Sequence, residues 1–190
     1  MTDEALRERL VTGCALLFDT NAIYGNRLVE VANTVNQLNE VRSGGPQISL
    51  MVSPLAYAER QAQERRRRGE TFDAAIVLHF LRSKGVKVHP LDEEVADGIA
   101  DWLVRRAPDD AAWQRLKWSR VAEVAGLETG ERSPRIAATV DWFIGGHAAA
   151  QGMVLVTDDQ GLEFESVERA TRAQLKDALD GLLRQLSTPR

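Results

Sequence analysis

The short apolar run Ala-Leu-Leu-Phe at 15–18 limits the fold more than any other feature of this sequence. A strand without polar alternation is typical of a sheet buried on both faces, as parallel sheets covered by helices are. A similar apolar run lies at 153–156, and further strands are predicted at 48–52 and 86–89. The run at 15–18 ends at Asp19, and the run at 153–156 is followed by Thr157-Asp158-Asp159.

Helical patterns separate these runs. Apolar residues three and four positions apart predict helices over 28–42, from 92 to about 103 and near 167–186, and further helices are predicted over 55–67, 71–83 and 139–150. Ser53-Pro54 is a favourable helix start, with an N-cap residue followed by Pro at the first helical position. The stretch 107–133 is predicted to be helical around 113–124 and to break over 126–133. The apolar stripe of the last helix either packs internally or mediates self-association.

Strands that alternate with helices predict an α/β fold, namely a three-layer α/β/α sandwich with a central parallel sheet. At 190 residues, we expect 1–190 to form a single domain, with a C-terminal helical extension at about 166–190. The tryptophans are predicted to lie in the core or at an interface, and the three histidines to be structural, because they lack metal-binding spacing. They are Trp102, Trp113, Trp118 and Trp142, and His79, His89 and His147.

Composition excludes several classes of protein. The formal net charge is −4, so bulk electrostatics do not favour nucleic acid binding. A single cysteine, Cys14, excludes an intramolecular disulfide and a Cys-rich zinc site. No apolar run approaches the roughly 18 residues of a membrane span, and the N-terminal residues lack the apolar segment of a secretory signal. We therefore expect a cytoplasmic protein that does not contact the membrane.

Four carboxylates are predicted to meet at one edge of the sheet. Asp19 and Asp159 follow two strands whose carboxyl ends share that edge if the strands are parallel. The helix that starts near Asp141 runs about 15 Å away from this edge, and the strand after it runs about 20 Å back. Asp141 and Asp159 are therefore predicted to lie at a similar level. Glu59 lies within two turns of the helix start after the second strand.

Carboxylates gathered in this way repel one another. Two like charges 4 Å apart cost about 4 kcal/mol at an effective dielectric near 20. Protons or cations have to relieve that cost, and Mg²⁺ or Mn²⁺ are the hard cations that prefer oxygen ligands. Such ions promote hydrolysis at phosphoryl centres. The sequence therefore predicts a Mg²⁺ or Mn²⁺ site that acts on a phosphate ester.

Four stretches carry this acidic pattern in order: Leu-Leu-Phe-Asp-Thr-Asn at 16–21, Ser-Pro-Leu-Ala-Tyr-Ala-Glu at 53–59, Asp-Trp-Phe-Ile-Gly-Gly-His-Ala at 141–148 and Val-Leu-Val-Thr-Asp-Asp at 154–159. Together they resemble the four acidic motifs of PIN domains, and most nearly those of the VapC-type ribonuclease toxins of toxin–antitoxin modules. The resemblance runs from about 14 to 165. It implies a PIN-like fold, Mg²⁺- or Mn²⁺-dependent endoribonuclease activity on RNA that leaves a 5′-phosphate, a homodimer, and a cognate antitoxin as partner.

The resemblance also assigns roles to individual residues. Asp19, Glu59, Asp141 and Asp159 become the metal-binding and catalytic residues, and Asn21 and Thr157 become supporting hydrogen-bonding residues. Asp158 and Asp159 compete for one role. The Thr-x-Asp spacing from Thr157 favours Asp159, which leaves Asp158 as a supporting or solvent-facing residue.

The sequence departs from the family pattern at two places. Gly145-Gly146 stands where Ala is usual, which favours close helix packing but costs about 1 kcal/mol per Gly in helix propensity. The Asp-Phe pair that commonly follows the fourth motif is replaced by Gln-Gly-Leu-Glu-Phe at 160–164, which leaves the role of Glu163 open.

Two other functions stay open. One is a non-catalytic PIN scaffold that binds RNA or a protein partner. The other is a haloacid-dehalogenase-like phosphatase, because Phe-Asp-Thr-Asn at 18–21 is similar to that family's nucleophile loop. Asn21, however, stands where that loop has an acid. The presence of all four acidic positions favours the metal-dependent ribonuclease over both alternatives.

Overall fold

A five-stranded parallel sheet forms the centre of the protein, in a computed structural model that describes residues 1–23, 26–69, 73, 75–113 and 138–187. The order across the sheet is β3-β2-β1-β4-β5, and every neighbouring pair is parallel. The predicted parallel sheet is therefore confirmed. The strands are β1 (Ala15–Phe18), β2 (Ser49–Val52), β3 (Val86–Val88), β4 (Val154–Val156) and β5 (Arg169–Ala170).

Helices cover both faces of this sheet. Crossovers between parallel strands are right-handed, so connections that run in opposite directions across the sheet lie on opposite faces. The connection from β1 to β2 runs one way, and that from β3 to β4 runs the other. The predicted three layers are thus confirmed. The helices are α1 (Asp3–Thr12), α2 (Asn26–Val41), α3 (Pro54–Arg68), α4 (Ala75–Ser83), α5 (Glu93–Arg106), α6 (Ala138–Ala150) and α7 (Arg172–Ser187), and a 3₁₀ turn spans Leu162–Phe164.

The core explains why the strand sequences are apolar throughout. Leu16 and Leu17 of β1 and all three residues of β4 are buried, because β1 and β4 are inner strands with helices on both sides. Trp102 and Trp142 are also buried, with ring centroids 6.0 Å apart. Trp113 packs against the core, so these three tryptophans lie where the sequence predicted. Trp118, the predicted helix beyond 113 and the predicted break over 126–133 lie outside the described residues.

Close helix packing accounts for one departure from the family pattern. A Cβ atom at Gly146 would lie 3.0 Å from Ile99 Cγ2 and 3.2 Å from Trp102 Cε3. A Cβ atom at Gly98 would lie 2.8 Å from the Cβ of Ala150. Both contacts join α5 to α6, and side chains larger than hydrogen would force the two helices apart.

The C-terminal region differs from the prediction at its start. The helix predicted near 167–186 begins at Arg172, and the residues before it form β5, in which Ala170 pairs with Val156 of β4. A two-residue strand has no periodicity by which the sequence could reveal it. Leu175, Leu179 and Leu182 of α7 are buried, and α7 packs against α1 and α2. The apolar stripe therefore packs internally except at Leu186, which is 45% exposed.

Helix α1 was absent from the predicted elements. The hydroxyl of Thr2 caps it, accepting a hydrogen bond from the backbone N–H of Ala5 at 3.2 Å. Leu6 and Leu10, four residues apart, are buried. The sequence did hold the signal, a Thr followed by two acidic residues and an apolar pair at helical spacing. In the described ranges, no helix has both the length and the apolar character needed to cross a bilayer.

Candidate metal centre

The predicted acidic residues lie at the switch point of the sheet, where the strand order reverses. The chain leaves β1 toward β2 on one side, whereas β4 and β5 extend the sheet on the other side. Open α/β sheets bind ligands beyond the carboxyl ends of the strands at such a point. The backbone N–H of Asp19 donates to Val156 O at 3.1 Å, so the pairing of β1 with β4 continues into the acidic motifs.

The hydroxyl of Thr157 connects the first and fourth motifs. It donates a hydrogen bond to Asp19 Oδ2 at 3.0 Å and accepts one from the backbone N–H of Asp159 at 3.1 Å. The amide of Asn21 donates to Thr157 Oγ1 at 3.3 Å and to Asp159 Oδ2 at 2.9 Å. Asn21 and Thr157 thus hydrogen bond to the carboxylates of Asp159 and Asp19, respectively. The same bonds bring Asp19 and Asp159 to one end of the sheet.

Glu59 reaches the site from α3. Ser53 caps this helix as predicted, since its hydroxyl accepts a hydrogen bond from the backbone N–H of Leu55 at 3.3 Å. Glu59 Oε2 accepts a hydrogen bond from the hydroxyl of Thr20 at 2.6 Å. Thr20 also donates its backbone N–H to Asp19 Oδ1 at 2.6 Å. Thr20, a residue of the first motif, therefore donates hydrogen bonds to both carboxylates.

Burial and mutual repulsion make Asp19 and Asp141 hold their protons more tightly than free aspartates. Asp19 is only 2% exposed. Burial is the main cause that raises its pKa to about 6. The negative charges of Asp159 and Glu59 also raise the pKa, whereas the hydrogen bonds from Thr20 and Thr157 lower it.

Asp141 lies in the first turn of α6. Its pKa is raised to about 8 by burial and then by the charges of Asp19, Glu163, Asp159 and Glu59. The four predicted carboxylates are therefore close enough to repel one another.

Asp158 binds Arg172 at the start of α7. Its Oδ1 accepts the backbone N–H of Arg172 at 3.0 Å, and its Oδ2 accepts Arg172 Nε at 2.6 Å. Partial burial raises the pKa of Asp158, but these bonds and the charge of Arg172 outweigh it and hold the pKa below its ordinary value. Asp158 thus ties the β4 motif to the start of α7, and Asp159 is the one of the two that bonds to Asn21.

Two of the three histidines, His89 and His147, contact each other. His147 is buried on α6, with its Nε2 3.0 Å from His89 Nδ1 and its Nδ1 3.3 Å from Ser53 Oγ. Burial and then the neighbouring His89 lower the pKa of His147 to about 4. His147 therefore links α6, which carries Asp141, to His89 after β3 and to Ser53 at the start of α3, which carries Glu59.

Sequence reasoning left open one carboxylate that the structure brings to the site. Glu163 is 1% exposed, and its charge is among the causes that raise the pKa of Asp141. The sequence carried a weak signal for it, a Glu-Phe pair where the family has Asp-Phe. The intervening loop made its position impossible to judge by spacing.

The donor set suits a hard divalent cation in chemistry, because every candidate ligand is a carboxylate oxygen. A cation would also relieve the repulsion that raises the pKa values of Asp19 and Asp141. Over the part of the chain that the structure describes, no three His, Cys, Asp or Glu side chains stand as a ready-made coordination set. The carboxylates of Glu59 and Asp159 instead accept hydrogen bonds from Thr20 and Asn21.

Comparison with known proteins gives the following likenesses. No protein-family model matches the chain, and no curated protein matches it. Among solved structures, it is similar to VapBC2 from Rickettsia felis bound to a DNA fragment from their promoter, with 15% identity over 83% of this chain and 98% of that chain and a TM-score of 0.45.

It is also similar to VapBC-1 from nontypeable Haemophilus influenzae, with 17% identity over 84% of this chain and 98% of that chain and a TM-score of 0.45. Both are VapBC structures.

Proposed function

We propose that this protein is a Mg²⁺- or Mn²⁺-dependent endoribonuclease of the PIN type, and that it hydrolyses phosphodiester bonds of RNA. The observation that carries the proposal is the meeting of acidic residues from four distant stretches at the switch point of a parallel sheet. Burial and the repulsion from neighbouring carboxylates together raise the pKa of Asp141 to about 8, and a bound cation would relieve that repulsion.

The residues of the site would have two roles, binding the cation and positioning its ligands. Asp19, Glu59, Asp141 and Asp159 would hold the cation. A divalent cation supplies Lewis-acid chemistry to a phosphodiester, because it activates water and neutralises charge on the phosphate. Thr157 holds the Asp19 carboxylate through its hydroxyl, and Asn21 orients Asp159. These two residues therefore set the geometry of the ligands and do not act on the substrate.

The partners are proposed from the resemblance of the four motifs. A VapC-type toxin would be a homodimer and would be held by a cognate antitoxin. A small protein encoded beside this chain, co-purifying with it and suppressing its ribonuclease activity, would support the antitoxin. Sedimentation of the purified chain tests the dimer.

Cleavage of RNA by matched variants tests the activity. We would incubate a fluorescently labelled pool of random single-stranded RNA with wild type, Asp19→Asn and the control Asp101→Asn, whose side chain is exposed on α5. Each protein would be assayed with Mn²⁺, with Mg²⁺ and with a chelator. We expect metal-dependent cleavage to 5′-phosphate ends by wild type and the control, and a loss of at least 100-fold in Asp19→Asn.

The alternatives predict different results. A non-catalytic scaffold would bind the RNA pool without cleaving it, and calorimetry would show no carboxylate-dependent uptake of Mn²⁺. A haloacid-dehalogenase-like phosphatase would form an aspartyl-phosphate at Asp19. Cleavage that persists at full rate in Asp19→Asn would remove this residue from the mechanism.

A further inference from the structure

We propose that Arg27, Arg169 and Arg172 bind phosphates of the RNA backbone beside the cation site. This inference rests on the proposed function, because it names the part of the RNA that the protein would hold next to the cleaved bond. The three residues lie at the start of α2, on β5 and at the start of α7, outside the four acidic motifs. We call them the arginine cluster.

An RNA chain needs positive charge in order to approach this end of the sheet. The formal net charge of the protein is −4, and four carboxylates gather where the cleaved phosphate would lie. A divalent cation offsets only part of their charge. Affinity for a polyanion comes largely from arginine and lysine side chains that neutralise its phosphates. Such side chains are therefore most effective when they lie beside the carboxylates.

Arg172 is held in a fixed orientation by Asp158, which follows β4. The carboxylate of Asp158 accepts the backbone N–H of Arg172 at 3.0 Å and its Nε–H at 2.6 Å, and it also pairs with Nη2. A guanidinium has five N–H donors in a rigid, planar fork. Among the described residues, none accepts a hydrogen bond from Arg172 Nη1. Asp158 thus fixes the plane of the guanidinium and leaves this nitrogen for a phosphate.

Arg169 and Arg27 lie around the same acidic pair. Nη1 of Arg169 donates to the backbone carbonyl of Asp159 at 3.2 Å, so it does not occupy the Asp159 carboxylate. Arg27 is exposed, and its positive charge helps to lower the pKa of Asp158. The three guanidinium groups therefore act on one place, although they come from separate parts of the chain.

The arginine cluster lies to one side of the carboxylates that would hold the cation. In the described structure, no arginine is among the main causes that shift the pKa values of Asp19 and Asp141. Asp158 offsets one of the three positive charges of the cluster, which leaves an excess of positive charge. Arginine forks suit phosphate oxygens, and contacts to backbone phosphates position a nucleic acid without reading its sequence.

Binding of a labelled single-stranded RNA at increasing salt concentration, measured by fluorescence anisotropy, tests the cluster. The background is Asp19→Asn in Mg²⁺, in which the RNA should stay intact. The variants are Arg27→Gln, Arg169→Gln and Arg172→Gln. The control is Arg82→Gln, an exposed residue in the last turn of α4, which leads into the amino end of β3 at the opposite edge of the sheet.

We expect each substitution in the cluster to weaken RNA binding by about threefold to tenfold and to reduce the slope of log K against log salt by about 0.7, the value for one phosphate on a single strand. The loss should be the same for RNAs of different sequence. In the cleavage assay, the same substitutions should raise KM and leave kcat nearly unchanged, because the cluster would bind substrate and transition state alike. The control should change none of these quantities.

A charge-matched double variant separates a phosphate contact from a general change in charge. Arg172→Gln leaves Asp158 without its partner, whereas Arg172→Gln combined with Asp158→Asn restores the net charge of wild type. We expect the double variant to bind RNA weakly, because the guanidinium is still missing. Full recovery of RNA binding would show that Arg172 acts only through net charge, and would overturn its contact. If Arg172→Gln does not fold, as judged by circular dichroism, Arg27→Gln decides the question.

The outcomes separate this inference from the proposed function. If wild type cleaves RNA and the arginine variants keep the RNA affinity and salt slope of the control, the arginine cluster is overturned while the proposed function stands. If wild type does not cleave RNA, the proposed function fails. A reduced salt slope in the arginine variants would then still support the cluster as the contact with the RNA backbone.

Discussion

Replacing Asp141 with Asn should stabilise the metal-free protein, and the gain should grow with pH. The pKa of Asp141 is raised from 3.8 to about 8 in the folded state. Below 3.8 the carboxyl is protonated in both folded and unfolded chains, so it carries no penalty. As the pH rises toward 8, the unfolded chain releases the proton while the folded chain keeps it, and stability falls. Asn never ionises and escapes this loss.

The size of this gain in stability follows from the difference between the unfolded and folded pKa values of Asp141. Each pH unit between 3.8 and the folded pKa costs 1.36 kcal/mol, so the penalty at pH 7 has a ceiling of about 4 kcal/mol. Solvent that reaches this half-buried side chain screens part of that. We therefore expect Asp141→Asn to raise the free energy of unfolding by roughly 2 kcal/mol at pH 7 and by almost nothing at pH 4.

Urea unfolding in a chelator at pH 4, 5.5, 7 and 8.5 measures this difference, with the exposed Asp101→Asn as control. The order should reverse when Mn²⁺ is present. A ligand at 100 times its Kd stabilises the folded state by about 2.7 kcal/mol, and wild type should gain this while Asp141→Asn gains much less. A metal-free difference that is constant from pH 4 to pH 8.5 would refute the reasoning, since no raised pKa would then exist at Asp141.

Two further predictions concern contacts that the structure defines. Thr157→Val keeps the shape of the side chain but removes the hydroxyl that bonds to Asp19 and Asp159. We expect the free energy of unfolding in urea to fall by about 1–3 kcal/mol and Mn²⁺ binding to weaken. Unchanged Mn²⁺ binding would show that Thr157 does not position the ligands. Gly146→Ala improves helix propensity by about 1 kcal/mol, yet its methyl group would lie 3.0 Å from Ile99 and 3.2 Å from Trp102. We expect a net loss of about 1–2 kcal/mol from overpacking, measured as a lowered urea midpoint, and a more stable variant would contradict the close packing of α5 on α6.

The sequence alone determined the parallel sheet and where its acidic residues would lie. An inner strand with helices on both faces must be apolar at every position, so the runs at 15–18 and 153–156 could be recognised without any alignment. Because parallel strands end at one edge of the sheet, the acids that follow β1 and β4 were predicted to share that edge. The strand order, which only the structure gives, makes them neighbours. The roles of Asp19, Glu59, Asp141 and Asp159 as ligands stay a prediction.

The tertiary structure decided where acids that lie close together in the sequence find their partners. Asp158 and Asp159 are adjacent in the chain, and it is the start of α7 that takes Asp158 into a pair with Arg172. Glu163 follows a loop whose path depends on how closely a turn can approach α6, and Gly145 sets that approach. Local patterns report burial and helix or strand periodicity. The distance between side chains on different elements depends on packing, which is non-local, and neither spacing nor periodicity records it.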